Sequence, residues 1–266
     1  ANTGTNVNTS TPIYANLTDA SGVVLQSVPV QNDGTYRFEN VRGGNLKVVL
    51  TENVQTVGAT VTTSTLTSGW ASTGENNANM DNNNHGTIDG VNEFTVTDED
   101  VTNINFGIEQ TPTADFKLYT NIPKASFSTT APSVFPNVTD YRTLPMNSTV
   151  LDGGYPLKGS LTGSDPEDYA TAGSCNTGKT FTIKTYQTDI PSGGTVSETN
   201  TKVYYDFGGT TGITEVTPGM AIPNFDPSKL VIYAKESHNN FGITYTLTDA
   251  AGIESVPASY NIQTMN

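Results

Sequence analysis

The sequence predicts an all-β protein built as two tandem antiparallel β-sandwich modules, Ig-like or prealbumin-like, joined by a short proline linker. Three observations carry that reading. Charged residues are only 14% of the 266-residue chain, against about 25% in an average soluble domain, and Thr, Asn, Ser and Gly take their place. Thr and the aromatics suit pleated, half-exposed strands, and Asn, Gly and Asp suit turns. No stretch keeps an apolar period of three to four residues, the mark of an amphipathic helix. Short alternating runs between turn residues recur instead, which is the grammar of a sandwich.

In the first module, residues 1–110, Ile13, Ala15 and Leu17 alternate with Tyr14, Asn16 and Thr18. Asp19-Ala20-Ser21-Gly22 is a turn, and residues 23–30 are the return strand. Asn32-Asp33-Gly34 reads as a tight hairpin, which puts Tyr36 and Phe38 on one face of a further strand. Arg42-Gly43-Gly44-Asn45 turns the chain into a strand at 46–50, and 91–96 and 101–108 supply the last two. Gln110-Thr111-Pro112-Thr113 is a Pro/Thr connector, stiff and short enough to hold two modules end to end.

The second module, residues 111–266, opens on the alternating run Ala114-Asp115-Phe116-Lys117-Leu118-Tyr119. Strand candidates follow at 180–186, 202–205, 230–233, 243–247 and 259–263, with Ser192-Gly193-Gly194, Gly208-Gly209 and Asp249-Ala250-Ala251-Gly252 as turns. Residues 121–155 are poor in pattern and read as an extended loop with one irregular strand.

The net charge is −14, from 12 basic and 26 acidic residues. A nucleic-acid partner is therefore not expected, because phosphate neutralisation needs clustered Lys and Arg. An acidic surface suits divalent cations, or simply keeps a secreted protein in solution. The single cysteine, Cys175, excludes an intrachain disulfide. No apolar run approaches the roughly 20 residues of a membrane span, so membrane insertion is not expected. No signal peptide is visible, so the numbering is expected to start in a mature or excised segment.

The acidic loops are the candidates for chemistry. Asp81-Asn82-Asn83-Asn84-His85-Gly86-Thr87-Ile88-Asp89-Gly90 sets oxygen ligands on alternate residues, then a Gly turn, then another carboxylate. A loop wraps calcium in this way. Asp81, Asn83 and Asp89 would give side-chain oxygens and Thr87 a carbonyl. His85 stands where a third oxygen is expected, and Asn92 stands where an EF-hand has its bidentate Glu, so Glu75 or Glu93 would have to substitute. The plainer reading is a solvated Asn-rich loop. A second acidic turn carries Asp165, Glu167 and Asp168, with Asp249 or Asp226 as the distant carboxylate of a calcium site. Here the plainer reading has Asp165 and Asp249 capping turns through their side chains. Zinc is not expected from two distant histidines and one cysteine. Nor is a catalytic triad, since His85 and His238 are the only bases of the right kind and no Gly-x-Ser-x-Gly occurs. Trp70, the only tryptophan, is either a sugar-stacking platform or a core aromatic.

The run Tyr14-Ala15-Asn16-Leu17-Thr18-Asp19-Ala20-Ser21-Gly22, then Asn32-Asp33-Gly34-Thr35-Tyr36-Arg37-Phe38, then Asn105-Phe106-Gly107-Ile108, resembles the B-type domain of serine–aspartate repeat surface proteins over residues 11–109. Those domains are related to Cna B-type and transthyretin-like sandwiches. Ser68-Gly69-Trp70-Ala71-Ser72 in the first module, and Asp165-Pro166-Glu167-Asp168, Asn224-Phe225-Asp226-Pro227 and Thr248-Asp249-Ala250-Ala251-Gly252 in the second, look similar to repeats of giant Bacteroidetes adhesins. The resemblance implies a non-enzymatic, secreted, cell-surface repeat used in attachment or gliding. Its partners would be neighbouring repeats of the same protein, a surface glycan or a protein ligand, with self-association open through edge strands. The alternative is a carbohydrate-binding or accessory module of a larger secreted enzyme. Cna B-type relatives often carry a Lys–Asn isopeptide bond. Lys47, the only lysine of the first module, lacks the surrounding pattern, and the second module is left open.

Overall fold

Ala15 and Leu17 share one buried face of β1 (Tyr14–Asp19), and the first sheet is built around that strand. The computed structural model describes residues 12–66, 69–76, 87–146, 149–151, 159–168, 177–189 and 198–265. The chain forms two units, Ala1–Gln110 and Thr111–Asn266, both all-β. In the first, β1 lies between β2 (Val24–Pro29) and β3 (Gly44–Thr51). Next come β4 (Trp70–Asn76), β5 (Val91–Val96) and β6 (Asn105–Gln110). The sheets are β2-β1-β3-β5 and the separate antiparallel pair β4-β6. Ile13, Ala15, Leu17, Leu46, Val48 and Leu50 form the core, and Trp70, Phe106 and Ile108 from the β4-β6 pair pack on it. The Asp19 turn forms as its sequence implies: Asp19 Oδ1 accepts the Ser21 and Val23 N–H groups, each at 2.9 Å.

The segment with Tyr36 and Phe38 is not a strand, contrary to the hairpin reading. Its backbone is clasped instead by a side chain of edge strand β2. Gln26 Nε2 donates to Glu39 O at 2.6 Å, and Glu39 N–H donates to Gln26 Oε1 at 3.3 Å. One amide thus supplies the donor and acceptor that a ladder would have supplied. The two rings still turn inward together, 5.7 Å apart.

The second unit begins with β7 (Thr113–Ala114), β8 (Lys117–Pro123), β9 (Tyr141–Pro145) and β10 (Gly163–Ser164). It continues through β11 (Thr180–Tyr186), β12 (Thr188–Asp189), β13 (Glu198–Thr199), β14 (Thr201–Asp206) and β15 (Ile213–Glu215). It ends with β16 (Ala221–Ile222), β17 (Leu230–Lys235), β18 (Asn240–Thr248) and β19 (Ala258–Met265). A five-stranded sheet, β16-β11-β18-β19-β8, and a four-stranded sheet, β15-β14-β17-β9, share one core. Phe181 and Phe225 meet edge to face in it at 5.1 Å. Two short pairs, β7-β10 and β12-β13, complete the unit. The pattern-poor stretch supplies β9, a regular strand at the rim of the smaller sheet, paired with β17.

Among the described strands, one ladder is parallel: β8 beside the final strand β19, from Lys117↔Tyr260 to Pro123↔Met265. Paired residues share a face of the sheet. Because Tyr260 and Ile262 point into the core, their partners Lys117 and Tyr119 must do so too. They are 0% and 2% exposed, while Phe116 and Leu118 are 55% and 39% exposed. Tyrosine hydroxyls then satisfy carbonyls that lie outside the ladders: Tyr245 donates to Asp115 O and Tyr260 to Gly159 O, both at 2.6 Å.

Gly163 marks where this packing is tightest. A Cβ there would stand 2.4 Å from Thr113 O and 2.8 Å from Leu247 Cδ2. Gly163→Ala is expected to force β7 from β10 and to destabilise the second unit by about 1–3 kcal/mol, the usual cost of overpacking. Denaturant unfolding read by tyrosine near-ultraviolet dichroism should shift. Fluorescence of Trp70, which reports the first unit alone, should not. An unmoved second-unit midpoint would show that β7 is free to yield.

Candidate functional site

Asp165 follows β10 and is fully buried. Its Oδ1 accepts the N–H groups of Glu167 at 3.0 Å and Asp168 at 2.7 Å, which closes the turn. Asp249 follows β18 and does the same for the turn into β19: its Oδ1 accepts Ile253 N–H at 2.7 Å. The two turns meet, since Asp168 Oδ2 accepts Ala250 N–H at 3.2 Å. Each of the buried aspartates therefore has a second oxygen. Asp165 Oδ2 and Asp249 Oδ2 are both enclosed and neither has a hydrogen-bond partner. Burial pushes the Asp249 carboxyl above its ordinary range, and the charge of Asp165 adds to the push, against the backbone bonds that it accepts. Glu167 and Asp168 are exposed. Asp226 is not part of this cluster; its Oδ1 takes Ser228 N–H at 2.9 Å. Among the described residues, no three His, Cys, Asp or Glu side chains form a metal-holding group, so the two turns offer a pair of carboxylates rather than a complete ligand set.

Of the other calcium candidate, Asp81, Asn83 and His85 lie outside the described residues. Thr87 and Asp89 are exposed, and Asp89 Oδ1 accepts Val91 N–H at 3.0 Å, a turn contact. The described end of this loop is anchored by Glu75, buried on β4, whose Oε1 accepts Asp89 N–H at 2.8 Å and Gly90 N–H at 2.5 Å. Burial raises the Glu75 carboxyl despite those bonds. Glu93 is engaged elsewhere, 2.6 Å from the Lys47 ammonium across β3 and β5.

Trp70 is half-buried and packs on the first unit's core. His238 Nδ1 lies 2.9 Å from Ser237 Oγ. The two are sequence neighbours on the turn between β17 and β18, where the exposed Ser237 has no shelter from water. Cys175 is outside the described residues.

Sequence reading missed Lys117. Burial lowers its ammonium to about 8, with the charge of Asp115 acting the other way. Asp115 itself accepts Thr162 Oγ1–H at 2.6 Å. The unfolded chain keeps that lysine proton up to 10.5 while the folded chain releases it near 8, so the unfolded state binds more protons between those values and stability rises with pH there. The rise should be clearest below about 10, before unfolded tyrosines titrate. Denaturant midpoints of the second unit measured from pH 7 upward should climb, and Lys117→Met should flatten the climb. A flat wild-type profile would mean that the buried ammonium is fully compensated.

No protein-family model, no curated protein and no solved structure matches the chain.

Proposed function

We propose that this chain is a non-enzymatic, load-bearing pair of repeats in a secreted bacterial surface fibre or adhesin. The observation that carries the reading is the parallel ladder between β8 and β19. Past β7, the chain runs into the ladder at Lys117, the first residue of β8, and leaves it at Met265, the last residue of β19. In a parallel pair those two points lie at opposite ends of the ladder. Tension along the chain therefore slides the strands past each other, and the ladder bonds must fail together. Had the two strands been antiparallel, the same tension would open the bonds one at a time. Each is worth only about 0.5–1.5 kcal/mol net, so loading them jointly is what raises the barrier to forced unfolding, a process governed by the unfolding rate rather than by equilibrium stability.

The resemblance of short motifs in both modules to repeats of Bacteroidetes adhesins supports the same assignment, and so does a sequence poor in charge and rich in Thr and Asn. On this reading the chain works outside the cell, and its immediate partners are further repeats of the same protein.

Single-molecule pulling tests it. Handles at Thr113 and Met265, in a Cys175→Ser background, load the ladder in shear. Handles at Lys124 and Met265 load one end and peel it. The shear geometry is expected to need severalfold more force for the second unit. Equal forces would remove the mechanical basis of the reading, and turnover of a peptide, ester or glycoside lost on His238→Ala would replace it with an enzyme.

A further inference from the structure

We propose that the joined turns at Asp165–Asp168 and Asp249–Ile253 form a divalent-cation site, anchored by Asp165 Oδ2 and Asp249 Oδ2, with calcium as its natural occupant. The proposal is independent of the load-bearing reading. It starts from the two enclosed oxygens. Asp165 is 0% exposed and Asp249 7% exposed, and Oδ2 of each has no hydrogen-bond partner. Buried polar atoms are paired in the great majority of cases, and a bare buried carboxylate oxygen is among the most costly exceptions. Turn formation does not account for them, because Oδ1 of each residue already performs it.

A cation accounts for both oxygens at once. The donors in place are carboxylate oxygens, hard ligands that favour calcium or magnesium over zinc or copper. Two carboxylates leave most of calcium's six to eight positions to carbonyls and water, and a flexible, incomplete shell suits calcium better than magnesium, which demands near-ideal octahedral geometry. The two turns belong to distant parts of the chain, already touching through Asp168 Oδ2 and Ala250 N–H. Asp165 directly follows β10, which pairs with β7, and Thr113 of β7 also bridges to Val256 just beyond the second turn. An ion here ties the start of the second unit to the β18–β19 connection. With only two carboxylates, the affinity belongs to the weak range of extracellular modules, with Kd about 10⁻⁴–10⁻³ M.

The test uses the full chain, stripped with chelator and titrated with calcium chloride by calorimetry and by thermal unfolding, with magnesium chloride and sodium chloride as controls. A saturable rise in the second unit's Tm by roughly 10 mM calcium is expected, well above the Kd range, and sodium at equal ionic strength should not reproduce it. Asp249→Asn should abolish the shift while keeping the turn's acceptor Oδ1. Asp165→Asn should do the same, and if it fails to fold, the Asp249 variant and the wild-type titration still decide. Asp89→Asn and Asp226→Asn should leave the shift intact. A wild-type Tm indifferent to calcium overturns the proposal. So does calcium binding that survives Asp249→Asn and is lost in Asp89→Asn, which would place the ion on the first unit's Asn-rich loop.

Discussion

Because β8 lies parallel to β19, with Lys117 opposite Tyr260 and Tyr119 opposite Ile262, every side chain on β8 takes its face from a residue about 140 positions away. That register sends an ammonium and a phenol into the sandwich and leaves Phe116 and Leu118 outside. Much of the second unit's polar interior follows. Tyr119 packs beside Tyr260 at 5.5 Å. The hydroxyls of Tyr245 and Tyr260 hold the carbonyls of Asp115 and Gly159. Residues 159–165 are thereby fixed against β7, and Asp165 is delivered to the turn that begins at Asp249.

A sandwich could be built more cheaply. A buried charge costs several kcal/mol even after relaxation, and Lys117 lies between Phe116 and Leu118, two apolar residues that were available for the inward face. A one-residue slip of β8 would bury those two and free the lysine, but it would break the Tyr119–Tyr260 contact and turn Tyr119 out to solvent. Local rules are broken at Lys117, Asp165 and Asp249, the two aspartates on turns that meet through Asp168 and Ala250, and such concentrations are where folds trade stability for something else.

The strands were legible wherever alternation was strong and local: β1, β11, β14, β17, β18 and β19 lie where period and turn residues put them. Tyr36 and Phe38 misled because alternation identifies an extended chain, not its partner, and Gln26 took the place of a ladder. β9 hid because its residues, Tyr-Arg-Thr-Leu-Pro, carry too little contrast between faces. The inward turn of Lys117 could not be read at all, since it depends on a parallel register between the ends of the unit. At Asp165 and Asp249 the sequence posed turn-capping and cation binding as rivals. A carboxylate has two oxygens, and each aspartate commits Oδ1 to its turn and leaves Oδ2 over, so the capping role and a ligand role are compatible.

The placement of that oxygen pair bears on how tension would pass through the second unit. Load arriving at Thr113 meets the β7–β10 pairing first, and that pairing is only Thr113↔Ser164 and Ala114↔Gly163. Two residue pairs yield easily compared with the long β8–β19 ladder that begins at Lys117. A cation bridging Asp165 and Asp249 would fasten β10 to the β18–β19 connection at that weak point, through ion–carboxylate contacts rather than additional strand. The ladder and the ion would then act in series along the chain: the ion delays fraying at the start of the unit, and the ladder sets the force at which the unit gives way. Calcium would on this account change the compliance of the unit at low load and leave its breaking force nearly unaltered, because the ladder needs no ion to form.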